Sequence, residues 1–141
     1  MTQRQYVDAN PLVRVLVRDN HAQAAAVRTY LSLPASERPR IVVTPSTLSE
    51  VVFVLVGSVY RYSRAEVARA LDAILNLPLE VQDLDVVQAA IELFQDHHDE
   101  WADCLVSAYA LLRAEGRILS YDKGLRRIPG LKRFEPPVVA S

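Results

Sequence analysis

The sequence predicts an α/β protein in which a short-stranded parallel sheet lies between layers of helix. Brief apolar or β-branched segments, each a few residues long, alternate with longer stretches of helical periodicity. Strands separated in this way by helices pair in parallel through right-handed βαβ connections. The length and composition agree, because 141 residues of which 50% are hydrophobic make one ordinary domain with a sizeable core. The expected domain covers residues 1–135, and the tail 136–141 is expected to be loose.

Taken in order, Tyr6-Val7 is the first short apolar pair and stops at Asp8. Asn10-Pro11 signals a helix start, and Leu12, Val13, Leu16 and Val17 form a stripe away from Arg14 and Arg18. Ala22 to Leu33 reads as a second helix and Pro34 to Arg40 as a proline-marked loop. Ile41-Val42-Val43 is a strand. The run Val51 to Val56 is β-branched enough for another, yet Thr44-Pro45 before it offers a cap and a first-turn proline, so it is read as helix.

Ser63 caps a clear amphipathic helix, Arg64 to Leu75, and Leu79-Glu80-Val81 is a brief strand. Val87, Ala90, Ile91 and Phe94 have helical spacing within Val86 to Phe94. After a polar loop, Gln95 to Glu100, a strong helix runs from Trp101 to Glu115 and ends at Gly116. Ile118 to Tyr121 is a strand, Lys123 to Arg127 a basic turn, and Leu131 to Phe134 the last strand.

The single cysteine, Cys104, forms no internal disulfide, which fits a reducing cytoplasm. No apolar run is long enough to cross a bilayer, and Met1 to Arg4 lacks a signal-peptide pattern. A net charge of −1 means that any nucleic-acid partner must be attracted by local basic patches.

Four carboxylates stand in awkward places. Asp8 and Asp122 each follow a predicted strand, where a parallel sheet gathers its functional groups. The plain alternative for either is a turn or helix-start acid. Glu50 directly precedes six consecutive apolar residues, Val51 to Val56; Thr47 three residues earlier would make it part of a capping box, unless Thr44 is the cap. Asp103 shares a helix face with Ser107 and Ala110, small residues that let neighbours approach, whereas an acid near a helix N-terminus needs no other explanation. Acids crowded together raise one another's pKa, and a divalent cation relieves the repulsion. An all-carboxylate set without matched His or Cys selects Mg²⁺ or Mn²⁺, which can activate water and hold a phosphate oxygen.

The segments around these acids resemble those of PIN-domain ribonucleases. Asp8-Ala9-Asn10 with its aliphatic helix is similar to their opening acid motif, Leu48-Ser49-Glu50-Val51-Val52 to the second, Trp101-Ala102-Asp103-Cys104-Leu105 to the third and Leu119-Ser120-Tyr121-Asp122 to the fourth. Spacing and element order look most like VapC-type toxins of type II toxin–antitoxin pairs, from about Tyr6 to Phe134. Ala9 stands where the family often has threonine, and Ser120-Tyr121 where Thr-Phe is common, but no acid is missing. The resemblance implies a three-layer α/β/α PIN-like fold and Mg²⁺- or Mn²⁺-dependent endoribonuclease activity on an RNA substrate. It also implies a homodimer and a cognate antitoxin protein whose tail lies across the cleft. By the same match Asp8, Glu50, Asp103 and Asp122 are the metal-binding, catalytic acids, with Asn10 and Ser120 supporting them.

Lys123, Arg126 and Arg127 beside Asp122, with Arg14 after Asp8, are candidate contacts to RNA phosphates, the alternative being an ordinary solvated face. His97-His98-Asp99-Glu100 reads as a solvated loop whose Asp99 caps the next helix, Trp101 as a packing anchor and Cys104 as a small core residue. Tyr60 and Tyr62 belong either to a partner surface or to the core. Two rival functions are a PIN-like interaction module without catalysis and a Mg²⁺-binding flavodoxin-like regulator. The first would show a lost acid, and the second a paired-acid motif after the first strand; neither is present.

Overall fold

The computed structural model describes residues 3–139; the expectations on Met1-Thr2 and on the last two tail residues lie outside them. The chain divides into two compact units, Met1–Leu84 and Asp85–Ser141.

The first unit carries strands β1 (Arg4–Tyr6), β2 (Arg40–Val43) and β3 (Glu80–Val81), hydrogen-bonded in the order β1-β2-β3 and parallel throughout. Gln5 stands opposite Ile41, and Val43 opposite Val81. Helices α1 (Ala9–Val17) and α2 (His21–Leu31) connect β1 to β2, and α3 (Pro45–Val56) and α4 (Arg64–Leu75) connect β2 to β3. Parallel neighbours need crossovers of this length, so the helical connections and the strand direction are one fact. Leu12, Val43, Leu48, Val51, Leu55, Val67, Leu71 and Ile74 are fully buried.

Local chemistry explains each boundary. The α1 start moves two residues ahead of the Asn10-Pro11 signal because Asp8 is the cap, its carboxylate accepting from Ala9 N at 2.8 Å. Asn20 caps α2, its amide oxygen accepting from Gln23 N at 3.0 Å. Thr44 caps α3 by accepting from Thr47 N, with Pro45 in the first turn, and this start carries the β-branched run Val51 to Val56 into helix as expected. Ser63 and Glu66 form a full capping box on α4. The pair Tyr6-Val7 is displaced, since the ladder runs from Arg4 to Tyr6 and Val7 adds one further bond to Val42 O.

The second unit holds most of α5 (Leu84–Asp96), then α6 (Trp101–Arg113), β4 (Arg117–Leu119), a 3-10 turn (Lys123–Arg127) and β5 (Lys132–Phe134). β4 and β5 pair in parallel, Ile118 opposite Arg133. Ala110, Ile118, Leu125 and Ile128 form its core cluster, with Leu93, Leu111 and Leu131 packed against them. Trp101 is buried and meets Phe94 edge-on, ring centres 5.9 Å apart, which is the anchoring role expected of it. Cys104 is buried in the same helix. Arg113 on α6 grips Asp85 on α5 with two bonds of 2.9 and 3.0 Å, which holds that carboxyl below its ordinary range.

Candidate active site

In the first unit, Asp8 and Glu50 open into one cleft of about 370 Å³, lined also by Ala9, Asn10, Val13, Arg14, Val54 and Tyr60. β1 delivers Asp8 to the start of α1, and α3 delivers Glu50 one turn past its capped end. Because Thr44 is the cap, Thr47 and Glu50 form no capping box, and Glu50 is left exposed with no hydrogen bond or ion pair among the described residues. The run of apolar residues behind it turns Val51, Val52 and Leu55 inward while Phe53, Val54 and Val56 stay exposed. Glu50 therefore needs no buried partner: it stands at the open side of the helix.

Arg14 reaches the same cleft, and its side chain is tied down. Its Nε donates to Gln23 Oε1 at 2.7 Å and its Nη1 to Asp19 Oδ1 at 3.4 Å. The other Asp19 oxygen accepts from the Tyr60 hydroxyl at 2.8 Å. That bond to a carboxylate, more than burial, raises the Tyr60 pKa above its ordinary value. Tyr60 and Arg14 thus line the cleft, Asp19 bonding both and Gln23 bonding Arg14. No sequence signal marked Asp19 or Gln23, because their role depends on how the α1–α2 turn folds back.

In the second unit, Asp103 lies in the first turn of α6, half-buried. The small-residue face expected of this helix is the buried one: Ser107 and Ala110 are buried, while Leu112 is exposed. Burial first, and then the negative charges of Asp122, Asp99 and Glu100, hold the Asp103 carboxyl above its ordinary pKa. Asp122 accepts from Gly124 N at 2.9 Å and so starts the basic 3-10 turn, while its own N–H donates to the Ser120 hydroxyl at 3.0 Å. Asp122 stands three residues beyond the end of β4, since that strand stops at Leu119. Arg133 on β5, which the sequence did not single out, donates to the Ser120 carbonyl at 2.8 Å and steadies the same loop.

The cap of α6 differs from expectation. Glu100 takes that position without a side-chain bond, and Asp99 Oδ2 is buried with no partner among the described residues. The negative charge of Asp99 acts on Asp103. Lys123, Arg126 and Arg127 are exposed on the turn after Asp122. Among the described residues, no group of three or more His, Cys, Asp or Glu side chains is placed to hold a metal ion. Within each unit the candidate acids come as a pair: Asp8 with Glu50 around one cleft, Asp103 with Asp122 within electrostatic reach.

Short parallel strands linked by capped helices define an α/β protein. Residues 5–131 match the PIN domain model, and the chain belongs to the PIN domain family. Its order of helices and short parallel strands is that of the three-layer α/β/α PIN-like fold. Comparison with curated proteins finds no match. No helix among the described residues is long and apolar enough to cross a membrane.

Proposed function

We propose that the chain is a metal-dependent endoribonuclease, the VapC-type toxin of a type II toxin–antitoxin pair, working in the cytoplasm as a homodimer restrained by its antitoxin. The observation that carries the reading is the shared cleft of Asp8 and Glu50 in a chain of the PIN family. The second pair supports it, because burial first, and then the charges of Asp122, Asp99 and Glu100, hold the Asp103 carboxyl above its ordinary pKa.

This donor chemistry fits a hard divalent ion. Asp8, Glu50, Asp103 and Asp122 are the side chains that would hold Mg²⁺ or Mn²⁺, although no three of them form a group in the structure. Such an ion, when bound, supplies an activated water and charge neutralisation at a phosphodiester. Asp103 or Asp122 is the acid that would accept the water's proton. Asp122 is fixed by Gly124 N and the Ser120 hydroxyl and acts as a rigid acceptor. Asn10 in the cleft orients the substrate, and Lys123, Arg126 and Arg127 bind flanking phosphates.

The test is cleavage of a fluorescein-labelled RNA pool of randomised sequence with Mn²⁺ or with EDTA. The wild type should cut only with metal, and Asp8→Asn and Asp103→Asn should abolish cutting with unchanged circular dichroism. Full metal-dependent cleavage by either variant refutes the assignment. A wild type that never cuts leaves the non-catalytic interaction module as the better reading.

A further inference from the structure

We infer that Asp19, Gln23 and Tyr60 are positioning residues that hold the Arg14 guanidinium at the Asp8–Glu50 cleft as a preset arm for a phosphate oxygen of RNA. The inference rests on the nuclease reading above and adds the device that aims its cation.

Three segments of the first unit build this arm. Arg14 lies in the last turn of α1. The next residue outside that helix, Arg18, takes a left-handed conformation with φ 60°, and its N–H closes on Arg14 O at 3.1 Å. The chain therefore reverses at once, which places Asp19 and then Gln23 of α2 beside Arg14. The third segment is the α3–α4 connection. Tyr62 N donates to Leu55 O at 2.8 Å and Arg61 N to Gly57 O at 2.9 Å, folding this loop back so that Tyr60 reaches Asp19.

Asp19 is held at both oxygens, one by Arg14 and the other by Tyr60. A tyrosine hydroxyl is protonated throughout the neutral range already at its ordinary pKa, so Tyr60 remains a donor to Asp19 there. The bonds to Gln23 and Asp19 leave further N–H groups of the guanidinium fork for a ligand. The Arg14 side chain is 30% exposed, so a ligand in the cleft can reach it. An arginine held in place loses less rotamer freedom on binding than a free one, and its planar fork suits phosphate oxygens. Paired with Asp19, Arg14 has little long-range field, so its contribution is directional.

The measurement is the anisotropy of the same labelled RNA pool, in EDTA so that no cleavage intervenes, on the full chain. Tyr60→Phe and Arg14→Lys should each raise Kd about 5-fold, and the double variant should bind no worse than Arg14→Lys alone. Asp19→Asn should behave like Tyr60→Phe. Melting temperatures within a few degrees of wild type establish that these variants fold. With Mn²⁺, the clamp variants should raise KM and leave kcat unchanged.

Wild-type affinity in Tyr60→Phe, additive losses in the double variant, full binding by Arg14→Lys, or no binding of the pool by the wild type would each overturn the inference. The two readings fail separately. Coupled binding losses without any Mn²⁺-dependent cleavage sink the nuclease while keeping the arm, and cleavage with an unaltered Tyr60→Phe does the reverse.

Discussion

Asp103 lies half-buried in the first turn of α6. An acid in the first turn of a helix gains from the helix dipole. Here burial and the charges of Asp122, Asp99 and Glu100 outweigh that gain, and the carboxyl is held above its ordinary pKa. With the folded-state pKa above the unfolded one, the folded chain keeps this proton longer. The associated stability is complete below the ordinary aspartate value and is lost as pH rises through the raised value. Asp103→Asn, which removes the charge but keeps the shape, should therefore melt at a higher temperature than wild type at pH 7. The difference should shrink to nothing as pH falls below the ordinary aspartate range. Melting curves against pH check this, and a lower Tm for the variant at pH 7 contradicts the account. The same substitution is expected to abolish cleavage, so stability and activity should move in opposite directions.

At the scale of elements, the connection from α6 to β4 is the most constrained. Glu115 and Gly116 both have positive φ, 54° and 83°, and Gly116 N closes the helix end on Ala110 O. A Cβ on Gly116 would stand 2.1 Å from Gly130 O, so the two glycine segments approach as only bare backbone can. Gly116→Ala should cost at least about 2 kcal/mol in a denaturant titration, because strain at positive φ adds to a backbone clash that no side-chain movement relieves. A cost below about 0.5 kcal/mol would mean that the approach is looser than the structure has it. The helix α3 shows the opposite case, a sequence with strong strand character made helical by its surroundings. Thr44 and Pro45 set its start, and burial of Leu48, Val51, Val52 and Leu55 along one face sets its orientation. The strand bounds differ from the apolar segments, β1 and β2 beginning earlier and β3, β4 and β5 being shorter, because pairing follows the partner's ladder and not the apolar residues.

For the whole molecule, the proposed cation is a folding ligand as well as a cofactor. Anything that binds only the folded chain stabilises it, by about 2.7 kcal/mol at a hundredfold excess over Kd. Wild-type Tm should therefore rise as Mn²⁺ is added, whereas Asp8→Asn and Asp103→Asn should show little or no rise. Calorimetric scans over a Mn²⁺ series give the answer, and equal rises in all three proteins would place the ion elsewhere. With a net charge of −1, the chain as a whole has almost no field to attract RNA. On the proposed function, attraction would have to come from local groups, such as the exposed Lys123, Arg126 and Arg127.

By itself the sequence determined the alternation of helix and short parallel strand, the caps at Thr44 and Ser63, and the four acids in order. Each of these is written in residues that are neighbours along the chain, so local propensity and periodicity were enough to show them. Only the tertiary structure decided that Glu50 is exposed at a cleft it shares with Asp8. It alone tied Arg14 to Asp19, Gln23 and Tyr60. Those facts depend on how the chain folds back on itself, through a left-handed residue at Arg18 and a folded-back loop that carries Tyr60 to Asp19, and no pattern of spacing encodes such a meeting.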